Sequence, residues 1–247
     1  MKVIEEPQLA VKRKLPWILG VFLYPISASG GVHLGVFVIL PLIFSFVVGK
    51  LGSFLAPILG YGTGYVMAFL TVPFYIVFYS YVVYYITDCV IDSSKGNFRA
   101  PDITVSDTVD AGDFVGKVFL LVGCAAICFW PAAVYYILRE EKGWAFWLLL
   151  AGGVFFFPMA LLRGSLFDSY DALNPISIIG SIASAFLAYC GLVLLFCLLS
   201  GFIGLVLPRL PVWGIVAVAV RFYLVFVLAH ILGWFYWWHK DKLDWGL

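Results

Sequence analysis

Apolar residues run along this chain in blocks long enough to cross a bilayer, and the polar residues gather between the blocks. A helix needs about 20 predominantly apolar residues to traverse a hydrocarbon core ~30 Å thick. Backbone polar groups find no partner there except along the helix itself. By that measure the pattern predicts an all-α polytopic bundle of about six transmembrane helices, at about 32–48, 65–86, 114–138, 144–162, 175–207 and 212–238. A single integral membrane domain spans 1–247, with no separate soluble core. Trp17 to Ile26 is apolar but short and is followed by Ser27, Ser29, Gly30 and Gly31, which predicts an interfacial or re-entrant helix.

The segments between the spans carry the punctuation. Lys50 to Gly64 reads as a connection containing Gly and Pro, and Asp88 and Asp92 close the second span. A polar loop occupies 92–113, and Arg139-Glu140-Glu141-Lys142 makes a tight turn. Arg163 to Asn174 is a second polar connection, and Asn174-Pro175 reads as an N-cap with proline in the first turn of the fifth helix. Pro208 and Pro211 precede the sixth span, which ends in Trp234, Trp237 and Trp238 followed by Lys240 and Lys242, an aromatic belt with cationic anchors.

Composition sharpens the picture. Hydrophobic residues are 64% of the 247 positions and charged residues 12%, against roughly 45–50% and about 25% in a soluble domain. The lipid bilayer is the expected solvent. A net charge of +1 offers nucleic acid no basic surface, so nucleic acid is not an expected partner. Six spans put both termini on one side, where ten basic residues fall against four on the other, with Arg221 inside a span. The positive-inside rule then makes both termini cytoplasmic. The orientation fails if Trp17–Ile26 crosses with its neighbour, because the spans then number seven. The amino terminus lacks the layout of a secretory signal, so the first apolar run is expected to stay in the mature protein.

No catalytic, cofactor or metal signature stands out. Cys124 and Cys128 lie one helical turn apart with no His or acidic neighbour, which reads as buried thiols. Gly60-Tyr61-Gly62-Thr63-Gly64 lacks the strand that precedes a dinucleotide fingerprint and reads as a connecting loop. Asp107, Asp110 and Asp113 would form an acidic stripe near a helix start. His33 and His230 read as hydrogen-bonded packing residues.

Five residues are candidate partner or ligand contacts. Asp88 shares a helix face with Tyr81 and Tyr85. Arg163, Asp168 and Asp171 border the Asn174-Pro175 cap, where an ion pair or a surface site at the membrane boundary is expected. Arg221 stands within the last span, where an arginine costs roughly 2.5–3.5 kcal/mol on insertion scales and must reach water, phosphate or a partner.

The run Phe157-Pro158-Met159-Ala160-Leu161-Leu162, with Phe167-Asp168-Ser169, Ala172-Leu173-Asn174-Pro175, His230-Ile231-Leu232-Gly233 and Leu243-Asp244-Trp245, resembles a bacterial multi-pass membrane family built on a domain of unknown function. More remotely it is similar to the membrane domain attached to some glycerophosphodiester phosphodiesterases. The resemblance implies a helical bundle and brings over no catalytic residue. The function expected from all this is a non-catalytic subunit or scaffold in a larger membrane assembly, beside other subunits or copies of itself. The alternative is a transporter, channel or lipid-handling protein using Arg221, Asp88 and the Gly-broken segments near Gly30 and Gly62.

Overall fold

Pro25 and Ser27 set where the first membrane helix begins. In the computed structural model, which describes residues 17–97, 100–101, 111–167, 174–211 and 213–245, α1 (Trp17–Leu23) passes into one 3-10 turn at Tyr24–Ile26. The Ser27 side chain accepts the Gly30 N–H and so opens α2 (Ala28–Leu59). α1 has seven residues, about 10 Å of helix, and does not cross on its own.

The remaining helices are α3 (Gly62–Ser94), α4 (Ala111–Arg139), α5 (Trp144–Phe167), α6 (Pro175–Ser184), α7 (Phe186–Gly201) and α8 (Gly214–Leu243), with no strand among the described residues. A wide turn at Phe202–Val206 and a 3-10 turn at Leu207–Arg209 extend α7 to Arg209. Among the described residues six helical stretches are long and apolar enough to span a membrane, as the apolar blocks predict.

Several elements differ from the sequence reading. The predicted connection at Lys50–Gly64 is mostly helix: α2 continues to Leu59 through Pro41 and Pro57, and only Gly60 and Tyr61 separate it from α3. Gly and Pro break helices in water, but in lipid the backbone has no better way to satisfy its polar groups, so the helix persists. Gly60 takes the positive φ of 53° that the hairpin turn requires. Likewise Asp88 and Asp92 do not end α3, which runs on to Ser94 with Lys95 as its C-cap.

The predicted fifth span is two helices. Asn174 caps α6 as expected, its side chain accepting the Ile176 N–H at 3.0 Å. At Ala185, φ −127° and ψ 30° interrupt the helix, so α6 is a separate ten-residue segment and the spanning stretch is Phe186–Arg209.

Burial is concentrated at one end of the bundle, and large apolar side chains are exposed toward the other. α3 and α8 run in the same direction and meet most closely near their C-terminal ends, where a Cβ added to Gly233 would lie 2.3 Å from the Val90 carbonyl oxygen and 2.6 Å from Ser93 Cβ. α4 and α5 are antiparallel and pack along their length, with Gly153 against the Cys128 carbonyl and Gly164 against Leu120 and Cys124. The buried core sits at this end, around Tyr24, Phe37, Tyr85, Cys89, Met159, Tyr189, Phe226 and Leu232. Toward the α2–α3 turn the same helices expose Phe46, Phe54, Ile58, Tyr65 and Phe69, and toward the α4–α5 turn they expose Trp130, Ile137, Trp144 and Leu148.

Gly233→Ala forces α3 and α8 apart and is expected to lower stability by roughly 1–3 kcal/mol, the range for overpacking a close contact. Gly31→Ala meets nothing within 4 Å and is expected to stay within about 0.5 kcal/mol of the parent. Thermal unfolding of both variants in one detergent provides the comparison.

Candidate functional site

Polar side chains at the closed end form four small constellations, each joining elements distant in sequence. In the first, Ser93 on α3 and His230 on α8 are both fully buried, with Ser93 Oγ and His230 Nδ1 2.7 Å apart. Tyr24 stacks on the imidazole at 4.0 Å between ring centroids and points its hydroxyl toward the Cys89 carbonyl. Tyr24 lies outside the six spans, and burial pushes its hydroxyl pKa above the ordinary tyrosine value. The entry segment, α3 and α8 are thereby tied at one point.

In the second, His33 stacks on Tyr85 at 4.1 Å, and its Nδ1 lies 3.0 Å from the Ser29 carbonyl. Both histidines are thus hydrogen-bonded packing residues, as read from the sequence.

Asp88 organises the third. Lys117 on α4 donates to Asp88 Oδ1 at 2.8 Å and lies 4.5 Å from the centroid of the Tyr84 ring. This is the one ion pair formed between described residues, with side chains 16% and 17% exposed. Tyr84 and Asp88, one turn apart, share the lysine, whereas Tyr85 turns inward to His33, Phe37 and Phe226. The grouping of Asp88 with Tyr81 and Tyr85 on one helix face therefore does not become one site. A tyrosine one position away faces the neighbouring helix instead.

Arg163 forms the fourth. Its guanidinium carbon sits 4.9 Å from the Phe167 ring centroid and 5.0 Å from that of Trp245, beyond the end of α8. Its Nη1 donates to Ser181 Oγ on α6 at 3.1 Å, and Trp245 Nε1 donates to the same oxygen at 2.9 Å. A planar cation set against two adjoining aromatic rings, whose centroids are 5.6 Å apart, and an acceptor shared with the Trp245 indole clamp the C-terminal segment to α5 and α6. Asp168 and Asp171, expected beside Arg163, lie outside the described residues.

Arg221 is elsewhere. It is exposed on α8 and makes no hydrogen bond or ion pair among the described residues. The structure therefore joins none of Asp88, Arg163 and Arg221 to one another.

The sequence reading did not single out Lys117, Ser93 or Ser181, and it quoted Trp245 only within the motif Leu243-Asp244-Trp245. Lys117 entered only the charge tally, although a lysine a few residues into an apolar helix must find a counter-charge or the interface. The serines carry no pattern of their own, and only the fold shows which residues face them. Of the five thiols, expected to be buried, Cys89 and Cys124 are buried, Cys128 and Cys190 are half-buried and Cys197 is exposed; Cys124 donates to the Ala160 carbonyl at 3.3 Å, under Gly164. Compared with protein-family models, curated proteins and solved structures, the chain matches none.

Lys117→Met leaves the Asp88 carboxylate without this partner and is expected to cost about 1–3 kcal/mol. Lys117→Met with Asp88→Asn recovers part of that loss, because removing both charges costs less than stranding one. A double-mutant cycle in thermal or denaturant unfolding measures the coupling. Arg163→Lys keeps the charge but loses the plane that two rings grip. It is expected to weaken the clamp by about 1 kcal/mol and to speed carboxypeptidase digestion of the C-terminus, while overall stability changes little.

Proposed function

We propose that this chain is a non-catalytic integral subunit or scaffold of a larger membrane assembly, oriented with both termini in the cytoplasm of a bacterial inner membrane. One observation supports the assembly role above the others: the helices are closed at one end and leave apolar faces uncovered at the other, on helices longer than a bilayer requires. α2 and α3 have 32 and 33 residues, about 48–50 Å of helix against a hydrocarbon core of ~30 Å. Even a 40° tilt, the upper end of the usual range, leaves them longer than the core.

The hairpin also outreaches its neighbour. Phe222 on α8 contacts Phe78 on α3, with centroids 6.4 Å apart. Beyond that level α3 extends 16 residues to Gly62 and α8 only eight to Gly214, a difference of about 12 Å. Phe54, Ile58, Tyr61 and Tyr65 lie on this overhang, each well exposed. An apolar hairpin that reaches beyond α8 is the form expected of a contact made with another membrane protein. The orientation rests on the ten-to-four distribution of basic residues, and it is consistent with an α1 too short to add a seventh crossing.

A photo-crosslinking amino acid placed at Phe54, Tyr65 or Phe69 in native membranes tests the assembly role. Discrete protein adducts are expected at the hairpin, with none from the same reagent at Leu187 on the α7 face. Lipid adducts alone at all four positions, with a monomer by native mass spectrometry, would refute the proposal. Labelling of a cysteine introduced near either terminus by an impermeant reagent on intact cells would refute the orientation.

A further inference from the structure

We infer that the exposed face of α8 around Arg221 docks a transmembrane helix of a different protein, one carrying an aspartate or glutamate at the depth of Arg221. This rests on the proposed role as an assembly subunit and specifies the chemistry of one contact.

Depth comes first. Phe222, next to Arg221, meets the rings of Phe37 at 5.5 Å and Phe78 at 6.4 Å. Arg221 therefore sits at the level of Phe78. Along α3 the step from Phe78 to Asp88 is ten residues, about 15 Å, or half of a ~30 Å core. We take the part-exposed Asp88–Lys117 ion pair as the level of the bilayer boundary on that side. In the other direction α8 continues seven residues to Gly214, about 10 Å. An arginine so placed faces the apolar interior over part of its length, where a guanidinium is met by a counter-charge or by water.

The chain itself does not provide the counter-charge. Among the described residues Arg221 makes no hydrogen bond or ion pair, and no position from Trp213 to His239 is acidic. Among the described residues a second copy in the same orientation brings no carboxylate to this level either. Asp88 lies toward the closed end, bound to Lys117, and Glu140 and Glu141 lie in the α4–α5 turn at the open end. Charge complementarity therefore selects a different protein. The face is also open to close approach: Ala217 and Gly214 lie one and two turns from Arg221 on its own side of α8, and Gly214 is exposed. Small residues there let a second backbone come near, and the planar fork of arginine grips a carboxylate through two bonds.

The test uses the full chain in phosphatidylcholine nanodiscs with two fluorescent probe peptides. Both are transmembrane helices of leucine and alanine, one with aspartate at its centre and the other with leucine there. Energy transfer is expected to show the aspartate helix binding about tenfold more tightly, which corresponds to ~1.4 kcal/mol. Arg221→Leu is expected to erase that preference while its melting temperature matches the parent's, since the side chain is exposed. Arg221→Lys is expected to keep only part of it. Equal binding of the two probes to the parent chain overturns the inference and leaves Arg221 to lipid phosphate. A preference that survives Arg221→Leu, or self-association of the chain that Arg221→Leu abolishes, overturns it as well. Hairpin crosslinks found in native membranes with no probe preference at α8 sink this inference alone, whereas lipid-only crosslinks bear on the assembly role.

Discussion

The close crossing of α3 and α8 at Gly233 is the contact on which the rest of the bundle depends. Between helices in lipid there is no hydrophobic driving force, so association comes from tight packing and from polar groups that find partners only across the interface. Both occur here within one turn. Gly233 lets the Val90 carbonyl approach closer than any side chain would permit, and Ser93 and His230 bond directly above it. Tyr24 lies on the imidazole and fixes the entry segment. Tyr223 adds a second tie by donating to the Phe22 carbonyl.

The other helices attach to this pair by specific anchors. α2 lays Phe37 among Phe78, Tyr85, Phe222 and Phe226, a cluster shared by α3 and α8. α4 joins through the Lys117–Asp88 pair. α5 and α6 hold α8 from its far end through Arg163, Ser181 and Trp245, and Tyr189 of α7 donates to the Phe155 carbonyl while its ring meets Phe235. Most of these anchors lie toward one end, with the Phe37–Phe78–Phe222 contacts about midway along α3. Beyond them contacts persist within the α2–α3 and α4–α5 hairpins, as at Phe44–Phe74 and Tyr136–Phe146, while large apolar side chains lie exposed, which makes that end the place to look for a partner.

Helix existence was legible in the sequence because span length and apolarity are properties of single segments. The Asn174 cap was legible for the same reason, since a capping side chain acts on a backbone N–H two residues away. The hairpin at Gly60 was misread because Gly49, Gly52 and Pro57 carry the signals of a loop, and their weight falls when the alternative to a helix is an unpaired backbone in lipid. The break at Ala185 has no sequence mark of its own, as alanine is the best helix former. The sites were less legible than the helices. Asp88 and Arg163 were visible as charges near apolar runs, but their partners Lys117, Phe167, Trp245 and Ser181 come from other helices or another turn, and pairing across a fold is not written in local spacing. Arg221 was visible because a charge inside a span is conspicuous wherever the helix packs.

Pulsed electron paramagnetic resonance on the isolated chain in lipid nanodiscs tests most directly whether the molecule is closed at one end and open at the other. One pair of spin labels replaces Lys95 and Lys242 at the closed end, and the other replaces Tyr61 and Glu141 at the two open-end turns. A narrow distance distribution for the first pair and a clearly broader one for the second is the predicted result. Equally narrow distributions at both ends would contradict it, because the open end would then be held by the chain alone.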